Sequence, residues 1–561
     1  MKYSDFVDLY EELEKTTKKL EKVEILSKFL IKLSKSGEIE WIYLLRGKVT
    51  PDYDEREFGI SNQLIIKAIA KNSGVSSEEV VKQFRKSGDL GFVAEKLIGK
   101  KKQKSLFTSR LNVNKVFSNL KKLMDLEGKG SQEKKINLIS ELLVDSRDKE
   151  ACYIVRTILG QLRIGVADAI LRDAIGRAFF KEDVRKEIEQ AYDRVNDFAE
   201  VFELSIKGIK YLEKVEIGVG RPINVMLPVK VENLDEAFRI CGTPLAVEHK
   251  YDGFRVVIHN DGEKIKLFTR RLEEVTKQFP DVVEVVSKYV KAKTYVLDSE
   301  VVGFDPKTKK YKPFEAISQR IRRKHEVGKL INELPVEINV FDVLYLNGEN
   351  VMDKPFRDRR KILEKIVTPL HFKIRLSTQF ISNNKEEVRK FYEDALRLGE
   401  EGVMLKNLES SYHPGRRVGH MVKLKPVVND LDLVITGAEY GTGKRAGGLT
   451  SFYVACKDGN EFKEVGKVSS GLKEKESEKE GTTYKEMDLL LKPGIIKEKG
   501  IKVWTKPKVV VSVTYQNVQK SPTYSSGFAL RFPRITHHRP DRNVTDIATL
   551  KEIEKEAKKG R

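Results

Sequence analysis

The stretch Glu248-His249-Lys250-Tyr251-Asp252-Gly253-Phe254-Arg255 follows an apolar lead-in, Pro244-Leu245-Ala246-Val247, and sets one lysine among acidic and aromatic neighbours. The lead-in reads as a buried strand. Asp252-Gly253 reads as a tight turn in which glycine lets the backbone approach a ligand closely. In a chain with 105 Lys and Arg, a solvated surface position is the default for any one lysine. A lysine held at such a turn is instead positioned. Its amine attacks only when neutral, and its ordinary pKa is about 10.4, so a nucleophilic Lys250 needs burial or neighbouring positive charge. Arg255, Lys423 and Lys425, together with a bound metal, supply that charge if folding brings them together.

Working outward, the runs LAVEHKYD, FRVVIH, KIKLFTR, TYVLDSEVV, INVFDVLYL, GVMLKN and MVKLKP read as short strands, interrupted by helical stretches such as LEEVTKQFPDVVEVVSKYV. Residues 217–428 therefore read as an α+β domain built on antiparallel sheets. Upstream, residues 1–216 read as all-α, with Phe6, Leu9, Tyr10 and Leu13 on one apolar helix face and similar periods at NQLIIKAIAKNSG, KKINLISELLVDS and CYIVRTILGQLR. Downstream, residues 429–561 are nearly all-β, with about five short strands between Gly-rich turns. That pattern fits a C-terminal β-barrel of OB type closed by a short charged helix.

The formal net charge of +21 makes a polyanion the natural partner, nucleic acid ahead of an anionic membrane. No apolar run approaches the roughly 20 residues of a membrane helix, and the N-terminal residues lack a signal-peptide core, so a cytoplasmic protein with no membrane association is expected. Cys152, Cys241 and Cys456 are too scattered for a metal-ligand spacing and too few for a disulfide framework. Dense Lys, Glu and Ile suggest the surface ion pairs of a thermophile.

KYDGFR resembles motif I, KxDGxR, of the covalent nucleotidyltransferases, the superfamily of DNA ligases, RNA ligases and mRNA capping enzymes. An ordered series follows: FTRR at 268–271, VLDSE at 296–300 as motif III, FDVLY at 341–345 as motif IIIa, EGVMLK at 401–406 as motif IV, and VKLKP at 422–426 as motif V. SGFALRFPR at 526–534 is similar to the C-terminal motif of DNA ligases. Order, spacing and length together resemble the archaeal ATP-dependent DNA ligase family. The resemblance implies a multidomain protein: an all-α DNA-binding domain, an α+β adenylation domain and an OB-fold domain.

The resemblance also implies roles. Lys250 would attack the α-phosphate of ATP to give a lysyl-AMP phosphoramidate. Glu248 would accept a hydrogen bond from the adenine amine, and Phe341 would stack on the base. Arg255 would make paired contacts near the phosphates. Arg270 and Arg417 would serve the nucleotide or the incoming 5′-phosphate; in HPGRRVGH, Arg416 competes with Arg417 for that position. Glu300 and Glu401 would hold Mg²⁺, with Mn²⁺ as a substitute, and Glu300 would also touch the ribose. Lys423 and Lys425 would neutralise charge growing on the α-phosphate. Arg531 and Arg534 would orient the leaving pyrophosphate.

For nicked double-stranded DNA, the loops GKGSQ and LGQLRIGV resemble phosphate-gripping loops, with Lys129, Ser131, Gln132 and Arg163 as DNA contacts flanked by Gly128, Gly130, Gly160 and Gly165; the bland reading is ordinary helix caps. Gln103–Phe107 resembles a sliding-clamp motif, although Ser109 and Arg110 stand where the general pattern has an aromatic pair. A monomer is expected. TGAEYGTGKRAGG fails as a phosphate loop, since Ala438 and Arg445 replace its glycine and its Ser or Thr. An NAD-dependent ligase would carry a four-cysteine zinc module, and a capping enzyme would not need the long helical segment. A non-catalytic DNA-binding scaffold would not need Lys250, both glutamates and the KxK.

Overall fold

The structure is a computed structural model describing residues 1–99, 111–128, 130–322, 327–415, 417–426, 430–442, 445–474 and 482–559. Strands of the middle segment carry nearly continuous apolar runs because both faces of their sheets are covered. Twelve of them form two sheets: β1 (Leu227–Val231), β2 (Leu245–Lys250), β3 (Phe254–Asn260), β4 (Ile265–Thr269), β5 (Tyr295–Phe304), β6 (Tyr311–Lys312), β7 (Val336–Leu346), β8 (Glu349–Asn350), β9 (Ile374–Leu376), β10 (Gln379–Ser382), β11 (Gly402–Asn407) and β12 (Arg417–Leu424).

The first sheet has the order β1-β12-β11-β2-β10, and the second β4-β3-β5-β7-β8, with β6 on β5 and β9 on β7. Pairing is antiparallel except for β1 with β12 and β7 with β9. Val257, Val296 and Leu344 of the second sheet share a core with Met404 and Met421 of the first. The outer faces are sealed by helices: Leu234–Cys241 and Lys385–Arg397 pack on Val247, Val403 and Val422, while Pro280–Tyr289 and Phe356–Ile366 pack on Val256, Leu297 and Val340. The expected antiparallel α+β segment is thus a helix–sheet–sheet–helix stack, and the motif residues emerge where the two sheets face each other.

The chain divides into two compact units, residues 1–60, 108–138 and 156–426 in one and residues 61–107, 139–155 and 427–561 in the other. Within the first unit the N-terminal region is helical, as expected; Tyr3–Glu14 buries Phe6, Leu9, Tyr10 and Leu13 on one face. Asp197 caps Phe198–Lys207 by accepting from the Ala199 and Glu200 N–H groups.

The second unit contains the helices Asn62–Ser73, Ser77–Ser87 and Leu90–Ile98. It also contains β13 (Asp430–Tyr440), β14 (Leu449–Asp458), β15 (Glu461–Val468), β16 (Ile495–Lys499), β17 (Lys502–Thr505), β18 (Val510–Thr514), β19 (Val518–Lys520), β20 (Phe528–Leu530) and β21 (Arg534–His538). The expectation of about five strands therefore falls short of nine among the described residues, because β16, β17, β19 and β20 are too short to show an alternation. β13 pairs with β14 along one edge, and with β18 and then β17 along the other. This shared long strand curls the sheet into a half-barrel of OB type around Leu433, Val454, Val465 and Val511. Ile553 of the terminal helix Leu550–Lys559 is buried in that core. TGAEYGTGKRAGG runs from β13 towards β14, a strand-to-strand connection.

Candidate active site

β2 ends at Lys250, and Gly402, the first residue of β11, pairs with it in register. The Glu401 N–H donates to the Lys250 carbonyl at 2.9 Å. The Glu401 Oε2 lies 2.5 Å from Lys250 Nζ and 2.7 Å from Lys425 Nζ. Lys425 follows the end of β12, whose Leu424 pairs with Val403, so three adjacent strands deliver three charged groups to one point. Burial opposes ionisation of Glu401, yet Lys250 and Lys425 hold its carboxyl well below the usual carboxylate range. Lys423 is half-buried in β12, in register with Lys230 on one side and Met404 on the other.

Two glycines make this convergence possible. Gly402 has φ +137°, and a Cβ there would stand 2.2 Å from the Leu424 carbonyl oxygen. A Cβ on Gly253 would stand 2.4 Å from the Val301 carbonyl oxygen and 3.1 Å from Glu300 Cγ. Gly253 thus lets the backbone pass close to β5 beside Glu300.

β3 and β5 pair Arg255 with Glu300 and Val257 with Asp298. Arg255 forks onto Asp298, with Nε 2.8 Å from Oδ1 and Nη2 2.5 Å from Oδ2, and Nη1 donates to the Met226 carbonyl at 2.7 Å. Tyr412 donates its hydroxyl to Asp298 at 2.7 Å. The paired contacts expected of Arg255 towards phosphate are therefore made inside the protein. Burial pushes the Glu300 carboxyl up to about 7; Lys250 and Arg255 counter it, and the like charges of Glu401 and Asp298 add to it. Two carboxylates that disfavour each other's charge suit a divalent cation. No group of three His, Cys, Asp or Glu among the described residues makes a metal cage, so waters and phosphate oxygens would complete the shell.

Two residues before Lys250 in β2, on the same face of the strand, Glu248 is 2% exposed. Its Oε1 accepts from Gln379 Nε2 at 2.9 Å, and its Oε2 pairs with Lys406 Nζ at 2.7 Å. The half-buried Phe341 ring of β7 has Lys406 Nζ 4.8 Å and the Arg255 guanidinium 5.3 Å from its centroid. Asp342, the next residue, is locked by a buried fork from Arg359.

The remaining expected residues are placed as follows. Arg270 is exposed just beyond β4. Arg417 opens β12, but its side chain lies outside the described residues, as do Arg416, Lys129 and Gln103–Phe107. Ser131 begins the helix Ser131–Asp145, followed by Gln132, and the Ser131 N–H bonds to the Gly128 carbonyl. Arg163 has φ +62° between Gly160 and Gly165, both also at positive φ, and donates to Gln161 at 2.8 Å. Arg531, half-buried, lies 5.2 Å from the ring of Phe532, which is 68% exposed, and Arg534 is exposed at the start of β21. Sequence reasoning missed Asp298, Gln379, Lys406 and Tyr412. Asp298 and Lys406 stood inside quoted motifs, whereas Gln379 and Tyr412 carried no local signal.

Comparison with known proteins bears on the whole chain. Residues 2–176 match the DNA ligase N terminus family, residues 225–425 the ATP dependent DNA ligase domain, and residues 445–542 the ATP dependent DNA ligase C terminal region. The DNA ligase of Nanoarchaeum equitans (strain Kin4-M) is 46% identical over 556 residues, covering 99% of this chain and 98% of the relative. That of Thermococcus onnurineus (strain NA1) is 41% identical over 558 residues, covering 99% and 97%. The solved structure Pmar-Lig_PreS3 aligns over 95% of this chain and 99% of its own at a TM-score of 0.59 and 17% identity, a likeness of fold. With full-length relatives at these identities and matches in all three regions, the chain belongs to the ATP-dependent DNA ligase family.

Proposed function

We propose that this chain seals nicks in duplex DNA, using ATP, through an AMP carried on Lys250. The observation that carries this reading is the Glu401 carboxylate set between the Lys250 and Lys425 ammonium groups at a strand end, beside Glu300. Lys250 Nζ attacks the α-phosphorus of ATP; the bond to the β-phosphate oxygen breaks, pyrophosphate leaves, and the lysine gives up its proton. AMP then passes from Lys250 to the 5′-phosphate of the nick. The 3′-hydroxyl attacks that phosphate, and AMP leaves as the phosphodiester forms.

Glu248 would accept from the adenine amine while Phe341 stacks on the base. Lys423 and Lys425 would neutralise charge growing on the α-phosphate. Arg270 and Arg417 would meet the nucleotide or the 5′-phosphate, and Arg255 would act through Asp298 to hold β3 and β5 in place. Glu300 and Glu401 would hold Mg²⁺ or Mn²⁺, which when bound supplies positive charge to the phosphate oxygens.

The functional division would be a DNA-binding domain at 1–216, an adenylation domain at 217–428 and an OB domain at 429–561. Lys129, Ser131, Gln132 and Arg163 would grip DNA phosphates, and Arg531 and Arg534 would orient the pyrophosphate. The excess positive charge supports binding with little sequence preference and a steep salt dependence. We place the protein in the cytoplasm with the DNA, as a monomer that engages a sliding clamp through Gln103–Phe107. Among the described residues, no helix is long and apolar enough to cross a membrane.

The test is incubation with Mg²⁺ and ATP labelled at the α-phosphate, beside Lys250→Ala. Acid-labile label on the wild-type chain alone supports the reading. Equal label on both, or none on either even after pyrophosphate treatment strips any AMP already bound, overturns it.

A further inference from the structure

A cavity of about 320 Å³ opens between the helix Pro280–Tyr289, the end of β5, the start of β7 and the turn before β9. Val336 and Ile338 on its floor share the helix-covered core with Val282 and Val301, so the cavity lies on the face of the second sheet opposite Glu300. Phe304 and Phe372 form one wall, their ring centroids 4.8 Å apart. Lys309 Nζ lies 5.4 Å from the first ring and 5.3 Å from the second, a cation held over two aromatic faces. Lys373 stands beside it at the mouth. Neither ammonium has a carboxylate within ion-pair distance among the described residues. Asp281 also lines the cavity, but the buried Arg320 guanidinium forks onto it and balances its charge. Glu284, whose charge Lys373 also feels, is paired with Lys288 at 2.6 Å. The backbone around the mouth is held in an unusual shape: Lys309 has φ +59° and Phe372 φ +60°, a region that bulky side chains avoid. The Phe372 N–H donates to buried Glu337 at 2.6 Å, and the Asp305 carboxylate accepts from the Lys307 and Thr308 N–H groups at 3.0 Å each. Such strain persists only where the surroundings fix it, and it gathers at binding sites.

We infer that this cavity binds an acidic segment of a partner protein, taking one aromatic side chain onto its apolar floor while flanking carboxylates meet Lys309 and Lys373. Its volume sits at the low end of ligand pockets, roughly 300 to 1,000 Å³, and suits a single anchoring side chain. The two rings and the valine and isoleucine floor reward an aromatic group that leaves water. The two unpaired ammoniums complement carboxylates on either side of that group in the chain of the partner. A nucleic-acid backbone would bring the negative charge but no apolar side chain to cover the floor. Pairing an aromatic anchor with acidic neighbours is the chemistry that uses both halves of the site.

The experiment measures fluorescence polarisation of a labelled peptide of sequence DDFDD with the full chain, beside DDADD. The proteins are wild type, the double variant Lys309→Gln with Lys373→Gln, and, as a control for lost charge, Lys506→Gln with Lys508→Gln in the second unit. The expected result is saturable binding of DDFDD that weakens about tenfold in the first double variant and not in the second, with DDADD about tenfold weaker than DDFDD on wild type. Equal weakening by both double variants, DDADD binding as tightly as DDFDD, or no saturable binding overturns the inference. Displacement of DDFDD by oligothymidylate would assign the lysines to a nucleic-acid backbone, and displacement by an equal concentration of phenylacetate would make the cavity a small-molecule site; each overturns it as well. If the lysine variant does not fold, Val285→Trp, which fills the cavity and keeps both lysines, decides: DDFDD falling to the level of DDADD supports the inference, and unchanged binding overturns it. None of these readouts depends on adenylation, so their failure is distinct from a failure of the nick-sealing reading.

Discussion

Glu401 holds Lys250 twice: its N–H bonds to the Lys250 carbonyl at 2.9 Å, and its Oε2 lies 2.5 Å from the Lys250 ammonium. The backbone contact survives substitution of the side chain, which separates placement of the strand from chemistry at its end. Glu401→Gln keeps the shape and removes the charge shared by Lys250 and Lys425. Single-turnover adenylation at saturating ATP should slow by about 10² to 10³-fold, with the melting temperature little changed. An unaltered rate would reduce Glu401 to a structural role.

Glu300 gives a pH signature in metal-free protein. Its carboxyl is pushed up to about 7 in the folded state, from an ordinary value of 4.5 that the unfolded chain regains. Between those pH values the unfolded chain has lost the proton and the folded chain has kept it. Stability is therefore full below about 4.5, falls as pH rises towards 7, and is level above, a loss of at most about 3 kcal/mol from this group. Glu400, pushed up to about 8 chiefly by burial, adds in the same direction. In chelator, Glu300→Gln should raise the thermal midpoint clearly at pH 8 and little at pH 5. A gain of equal size at both would contradict the assignment.

Excess divalent cation should reverse the same trend. A cation held by Glu300 and Glu401 binds the ionised carboxylates and stabilises the folded state by mass action. The thermal midpoint at pH 8 should rise with added Mg²⁺ or Mn²⁺ in wild type, and not in the Glu300→Gln and Glu401→Gln double variant. An equal rise in both proteins would place the cation elsewhere.

The two glycines predict a graded loss. Alanine at Gly402 meets the Leu424 carbonyl oxygen at 2.2 Å and needs a φ that side chains avoid, while alanine at Gly253 meets the Val301 carbonyl at 2.4 Å without that second difficulty. Both should destabilise, Gly402→Ala more, by about 3 kcal/mol or above. Melting curves of the two variants give the order directly.

Asp298 and Tyr412 should differ by what each leaves behind. Asp298→Asn leaves the half-buried Arg255 guanidinium without its fully buried counter-charge, at a cost of about 3 kcal/mol. Tyr412→Phe removes one hydroxyl that donates to Asp298 and accepts from the Met226 N–H, at a cost of about 1 to 2 kcal/mol. The reverse order in thermal unfolding would show that Arg255 does not depend on Asp298.

Part of this was legible along the chain. The apolar alternation around Lys250, VLDSE and GVMLKN marked strands, and ordered motifs marked Lys250, Glu300, Phe341, Glu401 and Lys425 as a set. The shortest of the nine described strands of the second unit were not legible, because a three-residue strand such as Phe528–Leu530 has no period to read. Arg255 was legible as a placed cation but not as the partner of Asp298.

The sequence by itself determined the helical start, the antiparallel middle and the strand-rich end, because hydrophobic periodicity and short-range turn chemistry act between neighbours in the chain. Only the tertiary structure decided that Gly253 packs against β5, that Arg255 pairs with Asp298, and that Lys406 stands beside both Glu248 and Phe341. Those facts depend on strand register across separations of tens to more than a hundred residues. A shift of one residue turns every side chain to the other face while leaving the local pattern intact.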